Sequence, residues 1–254
     1  PTFQYRRFVY LCKMLPLDLS GLHLFFMDEY LQPASGDGAD SPAAGASDAA
    51  ASGSAAGTAA GSPSLIDPAS PLSFRGFVQR ELVEPMERVE RELGAEVGLG
   101  FAPKQIYFPD PSDPEAYDRR LKELGGADIC FAGVGINGHL AFNEPPAQEE
   151  KGFFELRTRV VSLSRETITI NSNTALGGAW EQIPERAITV GMKQILESKS
   201  LRIFLNRPWQ RAVVRKLLYG PVTSTFPASI VQTHPEARVT MTAEVASPPQ
   251  FALR

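Results

Sequence analysis

The stretch Asp128-Ile-Cys-Phe-Ala-Gly-Val-Gly-Ile-Asn-Gly-His-Leu-Ala-Phe-Asn-Glu-Pro-Pro146 constrains this chain more than any other. Its apolar start reads as a buried strand, and Gly133 and Gly135 break that strand. A glycine turn follows with His139, then Asn143, Glu144 and two prolines. Three of the 21 glycines and one of the three histidines fall within seven residues. Turn chemistry and titratable groups are thus concentrated at a strand end, where open α/β sheets bind ligands.

The 254 residues, 43% hydrophobic and 21% charged, suffice for one sizeable core, and we read 1–254 as one α/β domain. A net charge of −4 without a long basic run argues against nucleic acid or an acidic membrane surface as partner. Cys12 and Cys130 lie 118 residues apart in apolar contexts with no neighbouring histidine. They read as reduced core thiols of a cytoplasmic protein, not as metal ligands. No apolar run approaches the ~20 residues of a membrane helix, and Arg6-Arg7 leads only into the short run Phe8–Leu11, unlike a signal peptide. The chain opens on Pro1-Thr2, which reads as a fragment whose first element is not shown.

Along the chain, Tyr5, Phe8, Val9 and Cys12 follow helical spacing, so residues 3–15 are expected to form an amphipathic helix stopped by Pro16. The run 22–27 is continuously apolar, as a strand covered on both faces would be, and ends in Asp28-Glu29-Tyr30. Residues 34–71 are almost wholly Ala, Gly, Ser, Asp and Pro and cannot bury enough surface to offset their ordering entropy. They read as a flexible surface insertion. Helix is expected over 72–93 with a kink at Pro85, strand over 105–108, and helix over 115–124 with Asp113 as N-cap and Gly125-Gly126 as terminator. Beyond the turn, strands are expected over 157–163, 187–191, 201–205 and 229–232, with helices over 166–173, 192–197 and 209–219. The alternation predicts a Rossmann-like, mostly parallel sheet with helices on both faces.

Among residues able to do chemistry, His139 comes first. A lone histidine is more often structural, but this one sits beside Gly138 at a strand end, with Glu144 five residues on. A carboxylate on an imidazole nitrogen fixes its tautomer and raises its basicity. Asp28 is second: it could cap the next helix, or, half-buried after an apolar run, have its pKa raised by desolvation and serve as a base near neutrality. Gly133, Gly135 and Gly138 spell G-x-G-x-x-G, but a dinucleotide site needs a helix directly after the turn, and Asn143-Glu-Pro-Pro argues against one. The glycines are better suited to close approach by a small ligand. Arg157, Arg159, Lys193, Arg207 and Arg211 could hold a phosphate, although each taken singly reads as a solvated charge.

Three segments resemble the glucosamine-6-phosphate deaminase (isomerase) family. These are Phe26-Met-Asp-Glu-Tyr30, Gly133-Val-Gly-Ile-Asn-Gly-His-Leu-Ala-Phe-Asn-Glu-Pro145 and Ala187-Ile-Thr-Val-Gly191, with Arg157-Thr-Arg159 similar to a basic pair. The resemblance spans about 8–235 outside the insertion. It implies a 2-amino-2-deoxyhexose 6-phosphate substrate, no metal or organic cofactor, and assembly into homo-oligomers. It also implies that His139 opens the sugar ring, Glu144 orients His139, and Asp28 moves the C2 proton to C1, a hydrolase/isomerase reaction. Asn137 stands where the family has Asp. The family's phosphate arginine falls near Asn173 and its phosphate lysine near Gln210-Arg211, so Arg211 is expected to replace the lysine and Arg159 to bind substrate. The family's first strand and phosphate loop are expected before residue 1. Related 6-phosphogluconolactonase-type hydrolases and a non-catalytic sugar-phosphate sensor are the rival readings.

Overall fold

The computed structural model describes residues 2–15, 17–33, 63–94 and 98–249. The expected insertion falls largely on 34–62, outside the described residues. The chain leaves at Gln32 and re-enters at Ser64 side by side, the Gln32 N–H donating to the Ser64 carbonyl at 2.9 Å and that of Ile66 to the Tyr30 carbonyl at 2.9 Å.

The scaffold is a Rossmann-like α/β fold of parallel sheets flanked by helices. Strand β1 (Leu24–Phe25) pairs parallel with β3 (Ile106–Tyr107). A second parallel sheet runs β4 (Cys130–Ala132), β7 (Leu201–Leu205), β8 (Ala237–Met241). The third sheet departs from the mostly parallel expectation. Here β2 (Asp28–Tyr30), β6 (Arg186–Thr189) and β5 (Arg159–Ser162) pair antiparallel in the order β2-β6-β5. The apolar run and acidic pair therefore do not form one strand. The Phe26 N–H still bonds Tyr107, but the Val190 N–H takes the Met27 carbonyl at 2.7 Å, and the chain passes from one sheet to the other between Phe25 and Asp28.

Helix α1 (Thr2–Met14) buries Cys12 and packs Tyr5, Phe8 and Val9 on the cluster of Leu82, Met86 and Val89. That cluster belongs to α2 (Phe74–Val78), a π-helical turn (Gln79–Val83) and α3 (Glu84–Leu93). In place of one helix kinked at Pro85, a π turn at 79–83 precedes α3, and Pro85 lies in the first turn of α3, where a missing N–H costs little. Helix α4 (Pro114–Glu123) starts on the Asp113 side chain, which accepts the Ala116 N–H. Helices α6 (Met192–Leu196) and α7 (Gln210–Tyr219) cover β4 and β7, burying Leu201, Ile203, Leu205, Val213 and Leu217. The segment expected as a strand at 229–232 is instead a 3₁₀ turn, Pro227–Thr233. The Ser229 N–H closes locally on the Phe226 carbonyl, while that of Ala228 donates to the Gly138 carbonyl of the signature loop at 2.8 Å, and β8 supplies the edge strand after the turn.

The acidic pair is split by the strand pleat, since successive residues point to opposite faces. Glu29 is fully buried and clasps the start of α2, accepting from the Ser73 hydroxyl at 2.9 Å and from the Phe74 and Arg75 N–H groups at 3.0 and 2.8 Å. A carboxylate at a helix N-terminus satisfies orphan donors and complements the dipole. Equilibrium urea unfolding is expected to show Glu29→Ala losing about 3 kcal/mol or more, because buried donors lose a charged acceptor. Ser73→Ala, a cap deletion, should lose about 1 kcal/mol.

Candidate active site

The signature loop leaves β4 and turns back on itself. The Gly138 N–H reaches the Gly135 carbonyl at 3.0 Å, and the Gly135 N–H reaches that of His139 at 3.0 Å. Two glycines are sterically required. A Cβ at Gly135 would stand 2.1 Å from the His139 ring, and Gly138 combines φ +92° with the Phe226 ring 2.4 Å from where a Cβ would lie. At Gly133 the nearest atom to a Cβ would be 3.8 Å away, so protein packing does not demand glycine there. No helix follows directly; 141–142 is a turn with Ala141 at φ +52°, an uncommon conformation for alanine. The loop lacks the helix that a dinucleotide fingerprint needs.

His139, Asn137 and Glu144 form one hydrogen-bonded array. The Asn137 Nδ2 donates to Glu144 Oε2 at 2.7 Å and to Ser164 Oγ at 3.1 Å, while its Oδ1 lies 2.9 Å from His139 Nδ1. Glu144 Oε2 itself is 3.5 Å from that nitrogen, with the two side chains only 11% and 13% exposed. Helix α5 (Arg165–Leu176) closes the array from the other side. Its N-cap Ser164 gives a backbone N–H to Glu144 Oε1 at 3.1 Å, and Thr167 Oγ1 lies 3.2 Å from His139 Nδ1. Burial would raise the Glu144 carboxyl, but hydrogen bonding and charge from His139, with hydrogen bonds from Asn137 and Thr167, hold it down to about 2. Glu144 is thus a fixed negative charge at every pH of interest.

The antiparallel sheet brings Asp28 to the same place. Asp28 and Arg159 are both directly opposite Thr189, one from each side, so the three share a face. The loop is tied to that face: the Phe142 N–H donates to Thr189 Oγ1 at 3.0 Å, and Arg159 Nη1 donates to Asn143 Oδ1 at 2.8 Å. Asn143 also gives its Nδ2 to the Leu140 and Val190 carbonyls at 3.0 and 2.9 Å. Asp28 keeps partial solvent access but is surrounded by protein. Desolvation, with the charge of Glu29 adding to it, pushes its carboxyl up to about 7.

The remaining cations are dispersed. Arg211 donates Nε to the Glu244 carbonyl at 3.0 Å and pairs with the Glu244 carboxylate at 3.3 Å, which ties α7 to the short helix α8 (Ala243–Ala246). Its bonding is to that helix and not to the His139 array. Lys193 pairs with Glu155 at 2.7 Å, and Arg157, Arg207 and Asn173 are exposed. Sequence reasoning did not find Ser164, Thr167, Thr189 or Gln210. Gln210 is buried at the start of α7; it donates to the Val134 carbonyl at 2.9 Å and accepts the Asn206 and Arg207 N–H groups, linking the ends of β4 and β7. Ser164 was findable as an N-cap and Thr189 lies within the segment Ala187–Gly191; Thr167 and Gln210 carry no local signal. Among the described residues, no three His, Cys, Asp or Glu side chains converge as a metal site, and no helix is long and apolar enough to cross a membrane.

A Rossmann-like scaffold with an imidazole–amide–carboxylate array at its strand ends and a raised carboxyl facing the same loop has the form of a proton-transfer enzyme for a small ligand. The chain is 33% identical over 178 residues to the glucosamine-6-phosphate deaminase of Lachnoclostridium phytofermentans, covering 68% of each. It is 31% identical over 183 residues to that of Hahella chejuensis, covering 72% of this chain and 64% of the relative. Against glucosamine-6-phosphate deaminase 2 of Bacillus subtilis it is 32% identical over 176 residues, covering 66% of this chain and 63% of the relative. Among solved structures, a monomeric glucosamine-6-phosphate deaminase superposes with a TM-score of 0.69 at 24% identity, over 97% of this chain and 83% of that one. The 6-phosphogluconolactonase of Trypanosoma brucei shares the fold, with a TM-score of 0.59 at 14% identity over 97% and 81%. No family model matches the chain. The chain belongs to the glucosamine-6-phosphate deaminase family, and it spans about two thirds of the length of these relatives.

The two loop glycines should separate in experiment. Gly135→Ala must displace the His139 ring and is expected to lose about 1–3 kcal/mol in urea unfolding. Gly133→Ala meets no close atom and should leave the unfolding midpoint within the error of the measurement.

Proposed function

We propose that the protein converts glucosamine 6-phosphate and water to fructose 6-phosphate and ammonia. The observation that carries this reading is the common face: Asp28, Thr189 and Arg159 in one row, with the His139–Asn137–Glu144 array tied onto it through Phe142 and Asn143. The relatives' names supply the substrate class. The reading takes 1–254 as one α/β unit with 34–71 inserted.

His139 moves a proton to the ring oxygen and opens the sugar, with Asn137 and Glu144 holding the imidazole. Asp28 then takes the C2 proton and returns it at C1 through an enolamine. Water adds to the resulting C2 imine, the C–N bond breaks and ammonia leaves. Such proton transfers need a base with a pKa near the working pH, which is what burial gives Asp28. Gly133, with no close atom where a Cβ would lie, lets the backbone approach the sugar, while Gly135 and Gly138 make room for the His139 and Phe226 rings. Arg159 is the better placed of the two proposed phosphate cations, since it faces the loop and forms no ion pair among the described residues, whereas Arg211 is engaged by Glu244. No residue in this scheme requires a metal or organic cofactor.

Ammonia release measured with the full-length protein tests the reading. Asp28→Asn is expected to lower kcat by roughly 10²–10⁴-fold, and Arg159→Ala to raise KM. A 6-phosphogluconolactonase-type hydrolase would instead lose lactone hydrolysis in His139→Ala and keep it in Asp28→Asn; that pattern, without ammonia release, would replace the present reading. A sugar-phosphate sensor would bind without turnover.

The pH dependence has a definite sign. Only ionised Asp28 can take the C2 proton, so kcat/KM should rise with pH through about 7. The folded carboxyl titrates above the unfolded one, so its contribution to stability is present at low pH and is lost as pH rises through about 7. Asp28→Asn should therefore raise Tm relative to wild type at pH 8 and leave it little changed at pH 4.

A further inference from the structure

Asn143 is fully buried, and its neighbours fix which way its amide points. Nδ2 faces the Leu140 and Val190 carbonyls at 3.0 and 2.9 Å, and both are acceptors. A flipped amide would set its oxygen against these two, so Oδ1 is the atom that meets Arg159 Nη1 at 2.8 Å. Nη1 also donates to the Arg157 carbonyl at 3.2 Å, which uses both of its hydrogens. A guanidinium carries five N–H groups in a rigid plane, and the remaining three belong to Nε and Nη2. Neither of those atoms has a hydrogen-bond partner among the described residues. Nε–H and one Nη2 hydrogen lie side by side on one edge, a spacing that matches two oxygens of a phosphate.

We propose that Asn143 is a positioning residue that holds Arg159 by Nη1 and thereby presents its free Nε–Nη2 edge to the phosphate of the substrate. The proposal rests on the deaminase reading only for the phosphate-bearing ligand. Arg159 is half-buried on the face it shares with Thr189 and Asp28, so the edge is held on the side where the sugar reacts. The Glu150 charge acts on Arg159 but forms no ion pair with it among the described residues. A guanidinium fixed beforehand loses less conformational freedom when the ligand arrives. Position 143 needs a side chain that donates twice and accepts once. Aspartate has no hydrogens for the two carbonyls, and alanine offers Arg159 no acceptor. Lysine at 159 would keep the charge and lose the edge.

The test is a double-mutant cycle on the full-length protein, read as affinity for glucitol 6-phosphate against glucitol. Glucitol 6-phosphate has neither the amine nor the carbonyl, so its binding does not depend on deamination. Arg159→Ala and Asn143→Ala should each weaken glucitol 6-phosphate roughly tenfold or more, as the loss of a charged hydrogen bond would, and leave glucitol unchanged. The double variant should bind no more weakly than Arg159→Ala, because Asn143 acts only through that residue. In ammonia release the common loss should fall on KM. Arg159→Lys should also lose roughly tenfold. A further tenfold loss from Asn143→Ala in the Arg159→Ala background would overturn the proposal, since Asn143 would then be holding the loop in general. So would Arg159→Lys binding as wild type does, or a wild type that does not prefer glucitol 6-phosphate to glucitol. Should Asn143→Ala fail to fold, the ¹⁵N spectrum of Arg159 in wild type decides. A held Nη1 gives signals separate from Nη2, and one averaged signal would show a freely turning guanidinium and sink the idea. A protein that shows the expected pattern but releases no ammonia would end the deaminase reading and leave this one standing.

Discussion

The site depends on one position in the antiparallel sheet, Thr189. Its neighbours across the strands are Asp28 on one side and Arg159 on the other, and its hydroxyl receives the Phe142 N–H of the signature loop. A shift of either pairing by one residue would turn Asp28 or Arg159 to the opposite face. Asp28, Thr189 and Arg159 share this face through strand register, not sequence proximity, and the loop that carries His139 is tied to it through Phe142. The parallel sheet of β4, β7 and β8 carries the loop to this place but contributes none of these three side chains itself.

Three carboxyl groups within this region are held in different states by their surroundings. Glu29 faces a helix N-terminus and works as a structural anion. Glu144 lies beside His139 and accepts from the Asn137 amide, and these hold it charged far below neutrality despite its burial. Asp28, adjacent to Glu29 in sequence but on the other face, has little to compensate its burial and is raised to about 7. Divergent environments of this kind are how one scaffold supplies both a permanent charge and a titrating base.

Much of the scaffold was legible in local pattern. The amphipathic helix α1, the Asp113 cap, the strands β4 and β7 and the helices α4 and α7 follow from periodicity and capping chemistry. The 3₁₀ turn at 227–233 was misread as a strand, because a short apolar run such as Ser229-Ile-Val-Gln232 does not reveal where its backbone donors go. The apolar run before Asp28 gave no hint of a change of sheets, because both β1 and β2 are flanked by hydrophobic neighbours. Strand β8, with alternating exposure at an edge, was passed over beside its stronger neighbours.

The sequence by itself determined which groups are available: a histidine on a glycine turn, an amide and a carboxylate near it, and an acidic pair after a buried run. Gly135 is held to glycine by the His139 ring of its own turn, whereas Gly138 is held to it by a left-handed backbone and by the Phe226 ring, which only the tertiary structure brings there. Only the tertiary structure decided what each group does. It sent Glu29 to a helix terminus and Asp28 to the loop-facing side, placed Asn137 between Glu144 and His139, engaged Arg211 with Glu244, and brought in Ser164 and Thr167. The physical reason is that hydrogen-bond direction and desolvation depend on neighbours distant in the chain, and a residue's type fixes its capacities but not its partners.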